Sequence, residues 1–297
     1  MTGATLVPVA AQPPADGVLL VPAESTDAQL VQLWLHGKSP HTQRAYRADS
    51  ARFFACVARP LRAVTLGDLQ AFADSLAGLA ASSRARTLAA VKSLLSFGQR
   101  TGYLAINVGA PVKLPPRKDL LAARILSEPE VFKLIDQARR PRDRVLLRLL
   151  YIGGLRVSEL AALTWRDLQA RDDAGQLVVY GKGSRTRTVL LPAGMWQDLV
   201  QLRRGAGLDE AVFRSRQGGG HLDPSTIRRH VAAAAKRAGL EAKVSPHWLR
   251  HSHATHALER HAPIHLVQAT LGHASVATTG RYLHARPTDS SSKYLAV

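Results

Sequence analysis

Gly153-Gly154-Leu155-Arg156-Val157-Ser158-Glu159-Leu160 is the stretch from which the rest of the chain is most readily ordered. Paired glycines permit a close backbone approach, and the arginine stands where a new helix starts. Upstream, residues 142–152 form a strongly apolar helix, and before it Ser127 and Glu130 make a capping box. Val131, Leu134, Ile135 and Ala138 follow that box at i, i+3, i+4 and i+7. Downstream, Gln176–Tyr180 and Thr186–Leu191 are β-branched and apolar and flank Gly181-Lys182-Gly183-Ser184, which predicts a hairpin. Three helices then follow: one capped by Ser225 and ending before Gly239, one opened by Ser245-Pro246, and one from Pro263 to Leu271 ending at Gly272. Ser275 caps a last short helix carrying Tyr282. A mainly helical domain with a small β-hairpin is the predicted result.

The N-terminal half reads as a separate helical domain. Ser39-Pro40 sets a capping hydroxyl before an N1 proline, and Tyr46, Phe53, Phe54 and Val57 supply an apolar stripe. Thr65 and Asp68 make a variant capping box before Leu69, Phe72 and Leu76. Ser82 or Ser83 opens a further helix through Leu88, Val91, Leu94 and Leu95. Residues 1–24, rich in Ala, Pro and Val without helical period, read as a flexible tail. Between the halves, Pro111-Val112-Lys113-Leu114-Pro115-Pro116-Arg117-Lys118 is extended by its prolines and basic by its charges. Such a linker suits a polyanion running between two domains.

Charge narrows the function. Of the 297 residues, 40 are Lys or Arg against 22 Asp or Glu, a formal net charge of +18. Self-repulsion of that size is relieved by a polyanionic partner, and nucleic acid is the natural one. No amphipathic basic helix with a bulky aromatic face points to a membrane surface, and no run of 18 apolar residues predicts a span. Cys56 is the single cysteine, which excludes an intramolecular disulfide and a cysteine metal cluster; within Phe53-Phe54-Ala55-Cys56-Val57 it reads as a small core residue. With no signal peptide, the expected home is the cytoplasm, with access to the nucleoid.

Several polar residues sit oddly for a helical domain: Arg156, Lys182 at the hairpin tip, His247 and Arg250 at i, i+3 near a helix start, His273 after a helix-ending glycine, and Tyr282. Helix N-termini and paired arginines suit a phosphate. The carboxylates that a two-metal phosphoryl site needs are lacking near these motifs, where only Glu159 stands. Cationic side chains are then left to stabilise the transition state.

Leu155–Leu160, Pro246-His247-Trp248-Leu249-Arg250-His251-Ser252-His253-Ala254-Thr255-His256 and Leu271-Gly272-His273-Ala274-Ser275-Val276-Ala277-Thr278-Thr279-Gly280-Arg281-Tyr282-Leu283-His284 resemble the three signature blocks of the tyrosine recombinases (phage integrase family), closest in flavour to the Xer type. Gly181-Lys182-Gly183 resembles the family's hairpin lysine, and Ser39–Tyr46 the opening of its core-binding domain.

The resemblance implies a two-domain, C-shaped DNA clamp with a core-binding domain at 25–112, a linker at 113–125 and a catalytic domain at 126–297. It implies site-specific recombination as a homotetramer on a double-stranded DNA site, or as a heterotetramer with a second recombinase, through a Holliday junction. Chromosome or plasmid dimer resolution is the implied task, with a mobile-element integrase or a topoisomerase-like relaxing enzyme as alternatives. Tyr282 attacks the scissile phosphorus to leave a 3′-phosphotyrosine; a phenol of pKa about 10 must lose its proton as it attacks, and His247 is the implied base. Arg156 and Arg250 hold the nonbridging oxygens, His273 adds a hydrogen bond, and Lys182 protonates the departing 5′-oxygen. No metal, cofactor or ATP is implied, because the phosphotyrosine ester keeps the bond energy. Glu159 and His251 have supporting roles, and Arg44, Arg47, Arg84, Arg86 and Lys92 form a DNA-facing set on the first domain. His253 departs from the family, which commonly has an aromatic residue there. After Tyr282, a turn at Arg286–Ser292 and a short end to Val297 suggest a segment that docks on a neighbouring subunit.

Overall fold

The computed structural model describes residues 21–22, 24–116, 121–181, 186–216, 218–240 and 243–282, so most of the tail expected at 1–24, Lys182 and the segment after Tyr282 lie outside the described residues. Two compact units divide the chain at Lys118–Asp119.

The first unit is helical: α1 (Asp27–Leu35), α2 (Pro40–Val57), α3 (Leu66–Ser75) and α4 (Ala81–Arg100). Helices α1, α2 and α3 begin where a neighbouring side chain satisfies their free N–H groups. Thr26 and Gln29 form a capping box on α1, the Ser39 hydroxyl accepts from the Thr42 N–H ahead of Pro40, and Thr65 and Asp68 cap α3 reciprocally. The start expected at Ser82 or Ser83 is instead Ala81, with no side-chain cap. Leu30, Trp34, Phe53, Leu69, Phe72, Leu88, Val91, Leu94 and Leu95 make the core. Val21, assigned to the tail by its sequence, is buried in that core. Cys56 corrects a second expectation. It is exposed, with Sγ 3.8 Å from the Ser75 hydroxyl, because it falls on the flank of the α2 face that buries Asp49, Ser50 and Phe53.

The second unit starts on residues expected in the linker: Ile125 is buried, and the Leu126 N–H donates to the Ser252 hydroxyl at 2.9 Å. Then come α5 (Glu128–Asp136), α6 (Pro141–Ile152) and α7 (Val157–Ala162). An antiparallel sheet follows in the order β1 (Leu168–Arg171), β2 (Ala174–Tyr180), β3 (Thr186–Leu191). The predicted hairpin is β2–β3, with Tyr180 opposite Thr186 and Gly175 opposite Leu191. Strand β1 and α8 (Ala193–Arg203) were not predicted. Leu177, Val179, Val189 and Leu191 bury one sheet face, with α8 packed on β2 and α6 packed on α8.

The remaining helices are α9 (Pro224–Arg237), α10 (Pro246–Glu259), α11 (Ile264–Leu271) and α12 (Val276–Gly280). The cap of α9 is Asp223, whose carboxylate accepts from the Ser225 N–H; Ser225 itself lies inside the helix. Tyr282 is not carried on α12 but on the turn beyond it, its N–H bonded to the Thr279 carbonyl at 3.0 Å.

Gly154 sits where the α6–α7 connection must turn sharply. Its φ of 56° lies in the left-handed region, and a Cβ there would meet Leu271 Cδ2 at 2.8 Å and His253 Cδ2 at 3.1 Å. Gly154→Ala is expected to lower stability by about 1–3 kcal/mol, from strained backbone plus displaced core atoms. Chemical denaturation of both proteins measures this; an unchanged midpoint overturns it.

Candidate active site

Most of the polar residues singled out by the sequence converge within the second unit. Arg156 is the N-cap residue of α7, at the end of the Gly153-Gly154 turn. Its backbone N–H donates to Glu159 Oε2 at 2.8 Å and its Nη1 to Glu159 Oε1 at 2.7 Å. The Arg156 side chain stays 38% exposed, so part of its guanidinium edge faces outward. Arg250 is 4% exposed on α10. Its Nη1 donates to the Gly154 carbonyl at 2.5 Å and its Nη2 to the Leu271 carbonyl at 2.6 Å, pinning the α6–α7 turn to the end of α11. Burial first, then the neighbouring Arg156 charge, brings Arg250 down to about 10, still cationic at neutral pH.

The third group lies on the following loop. Gly272 closes α11 in the left-handed conformation, φ 63°, and places His273 beyond it. His273 Nδ1 is 2.8 Å from the Thr279 hydroxyl, and its ring stacks on Tyr282 with centroids 6.2 Å apart and planes 8° from parallel. The Tyr282 Oη is 2.9 Å from His251 Nδ1. Burial, then His247 and Arg250, hold His251 down to about 4, so its ring is neutral, and in the tautomer protonated at Nε2 its Nδ1 accepts from the phenol O–H. Burial raises the Tyr282 phenol above its ordinary value against the opposing pull of Arg250, Arg281 and Arg156. His247 stacks on His251 at 6.4 Å; burial, then Arg250, Arg228 and Arg156, depress it.

His247 is the base that the sequence suggests, yet the hydrogen-bond partner of the phenol is His251. One turn of helix separates them, and the i+4 spacing carries both rings to the same side of α10. A cleft of about 1250 Å³ opens beside Arg156, Glu159, Arg187, Gly272 and His273. It is large enough for a phosphodiester and its flanking sugars.

Two residues in this arrangement were not foreseen. Thr279 orients His273, and Arg187 of β3 grips Glu159 with both guanidinium ends, at 2.9 and 2.8 Å. The strand's period offered a signal for the second: Arg187 shares the face of the buried Val189 and Leu191, and an arginine pointing into a core needs a partner. Glu159 is that partner. Burial pushes its carboxyl up, but hydrogen bonds from Arg187 and the Arg156 N–H outweigh this and hold it at about 2.

Among the expected DNA-facing residues of the first unit, Arg44 and Arg47 are exposed on α2. Arg86 pairs with the buried Asp49 carboxylate, and Lys92 donates to the carbonyls of Ala110 and Val112, so both have duties inside their own unit. Arg84 is half-buried, and among the described residues its Nε has no hydrogen-bond partner. His253, the departure from the family pattern, lies behind the Gly154 turn, with burial holding it down to about 4.

A pH dependence follows. Burial, ahead of nearby cations, holds His251 and His273 at about 4, and burial does the same for His253, against 6.5 when exposed. Between pH 6.5 and 4 the folded protein therefore binds fewer protons than the unfolded chain. Stability is complete above pH 6.5 and declines as pH falls towards 4. The melting temperature of the second unit is expected to drop by about 5–10 °C from pH 7 to pH 5. Calorimetry at constant ionic strength checks this, and a flat profile contradicts it.

Sequence comparison identifies relatives for both units. The pattern described as "Phage integrase family" matches residues 124–289, and that described as "Phage integrase, N-terminal SAM-like domain" matches residues 30–102. The chain is 36% identical over 263 residues to a protein of Xylella fastidiosa named tyrosine recombinase XerC, covering 84% of this chain and 87% of that one. It is 37% identical over 267 residues to a tyrosine recombinase XerC of Myxococcus xanthus, covering 83% and 87%. In fold it is similar to the XerH site-specific recombinase in a pre-cleavage complex with its difH substrate, with a TM-score of 0.70, 20% identity and coverage of 87% and 82%.

Proposed function

Because the chain belongs to the phage integrase family, as a tyrosine recombinase of the Xer-like kind, we propose that it cuts and rejoins DNA at specific sites through a 3′-phosphotyrosine and a Holliday junction. The observation that carries this reading is the gathering of Arg156, Arg250, His247, His251, His273 and Tyr282 at one locus, of which Arg156 and His273 line the cleft. Tyr282 Oη attacks the phosphorus, the bond to the 5′-oxygen breaks, and the phosphoryl group passes to the tyrosine as an ester. The outward edge of Arg156 and the charge of Arg250 stabilise the nonbridging oxygens as negative charge accumulates there. His273 adds a donor. Lys182 delivers the proton that the leaving 5′-oxygen takes up.

The phenolic proton needs an acceptor, and the 2.9 Å contact favours His251 for that task. His247, stacked on His251 one helical turn earlier on α10 without contacting the phenol, then serves as a phosphate ligand rather than as the base. Rejoining reverses each step, with the 5′-hydroxyl as nucleophile. The double-stranded site is bound by a tetramer, either of this chain alone or shared with a second recombinase. Resolution of chromosome or plasmid dimers in the cytoplasm fits the sequence relationship to XerC better than phage integration or DNA relaxation does.

The test is incubation with nicked suicide duplexes whose sites are first selected from randomised DNA by binding to this protein. A denaturation-resistant adduct is expected, with digestion and mass spectrometry locating the nucleotide on the Tyr282 peptide. Attachment at another residue, or cleavage without an adduct, excludes the mechanism.

A further inference from the structure

Resting on the recombinase reading, we infer that Arg187 is a positioning residue of strand cleavage: it fixes Arg156 through Glu159 and the start of the His273 loop through the Thr270 carbonyl. The Arg187 side chain is 10% exposed and makes three charge-assisted contacts. Nη1 reaches Glu159 Oε1 at 2.9 Å, Nη2 reaches Glu159 Oε2 at 2.8 Å, and Nε reaches the Thr270 carbonyl at 2.7 Å. Each of the three guanidinium nitrogens is thus engaged within the fold, on two elements other than its own strand.

What the contacts do follows from charge. Glu159 has two oxygens and two arginine claimants. With Arg187 on both of them, Arg156 Nη1 shares only Oε1, which leaves the rest of its guanidinium edge for a ligand. Without Arg187 the carboxylate is free to turn fully onto Arg156, forming a two-point pair that neutralises the cation and swings its edge away from the cleft. The other contact acts on the far wall. The Thr270 and Leu271 carbonyls end α11 and receive Arg187 and Arg250 respectively, so two guanidinium groups sit at the negative end of that helix. A Cβ on Gly272 would lie 3.0 Å from Arg187 Cδ, so Arg187 also packs directly beneath the turn that presents His273. Arg187 therefore joins β3, α7 and the end of α11, and acts on the cleavage site through Arg156 and the His273 loop.

The test compares wild type, Arg187→Ala and Arg187→Lys in single-turnover cleavage of the selected suicide duplex, made once with an ordinary scissile phosphate and once with a neutral methylphosphonate there. On the ordinary phosphate, Arg187→Ala is expected to cleave about 100-fold more slowly while its affinity for DNA stays within about threefold of wild type. On the methylphosphonate, where no charged oxygen calls for Arg156, the ratio of wild type to variant is expected to shrink to about tenfold or less. Arg187→Lys keeps the charge without the two-point geometry and is expected to fall between the two; should the alanine variant not fold, this variant carries the comparison. Slowing that is equal on both substrates, or that follows weakened DNA binding, shows a structural role and overturns the inference. Unimpaired Arg187→Ala beside an active wild type overturns the inference alone, whereas a wild type that forms no adduct overturns the recombinase reading and this inference with it.

Discussion

Tyr282→Phe is expected to abolish adduct formation, by at least about 10⁴-fold, while leaving DNA affinity and the fold close to wild type. The substitution removes one oxygen. The ring keeps its place against Ala254, Val267 and Leu271, which pack with it in a small buried cluster. The hydrogen bond to His251 is lost, worth about 0.5–1.5 kcal/mol, which is far too little to unfold the unit. Chemically the loss is complete, because phenylalanine offers phosphorus no nucleophile and neighbouring histidines yield no stable phosphotyrosine. Gel electrophoresis under denaturing conditions reads the adduct, and filter binding reads the affinity. An adduct persisting in Tyr282→Phe assigns the nucleophile elsewhere.

Arg250→Ala is the second large effect, and it acts on stability and chemistry together. Two carbonyls, of Gly154 and Leu271, lose a charged donor inside the protein, and the cation that pulls most on the Tyr282 phenol disappears. A loss of about 2–4 kcal/mol in stability and of at least about 10³-fold in cleavage is expected. Arg250→Lys separates the two. It keeps the positive charge, but an ammonium on a flexible stem cannot span both carbonyls at once. Circular dichroism sets a temperature at which each variant is folded, and cleavage is then measured there. A folded Arg250→Lys that cleaves as fast as wild type removes Arg250 from the proposed mechanism.

Much of this was legible in one dimension. Ser39, Thr65 and Ser127 mark helix starts because capping is a contact between residues three apart, and the hairpin at 176–191 is visible because strand alternation is a local period. Other features were hidden for equally local reasons. Strand β1 is four residues long, and α8 carries only Met195 and Leu199 fully inward, so neither writes a strong period. The exposure of Cys56 depends on what α3 and α4 cover, which no single helix encodes.

By itself the sequence determined the residue types available for chemistry: arginines, histidines and Tyr282 in a strongly basic chain, spaced in blocks whose order along the chain identified the family. It also determined the helix starts and the pairing of β2 with β3, since both follow from neighbours a few residues apart. Only the tertiary structure decided which histidine meets the phenol, that Arg250 joins Gly154 to Leu271, and that Arg187 competes with Arg156 for Glu159. Those outcomes depend on groups 21 to 96 residues apart approaching within 3 Å, and chain separation carries no record of direction in space.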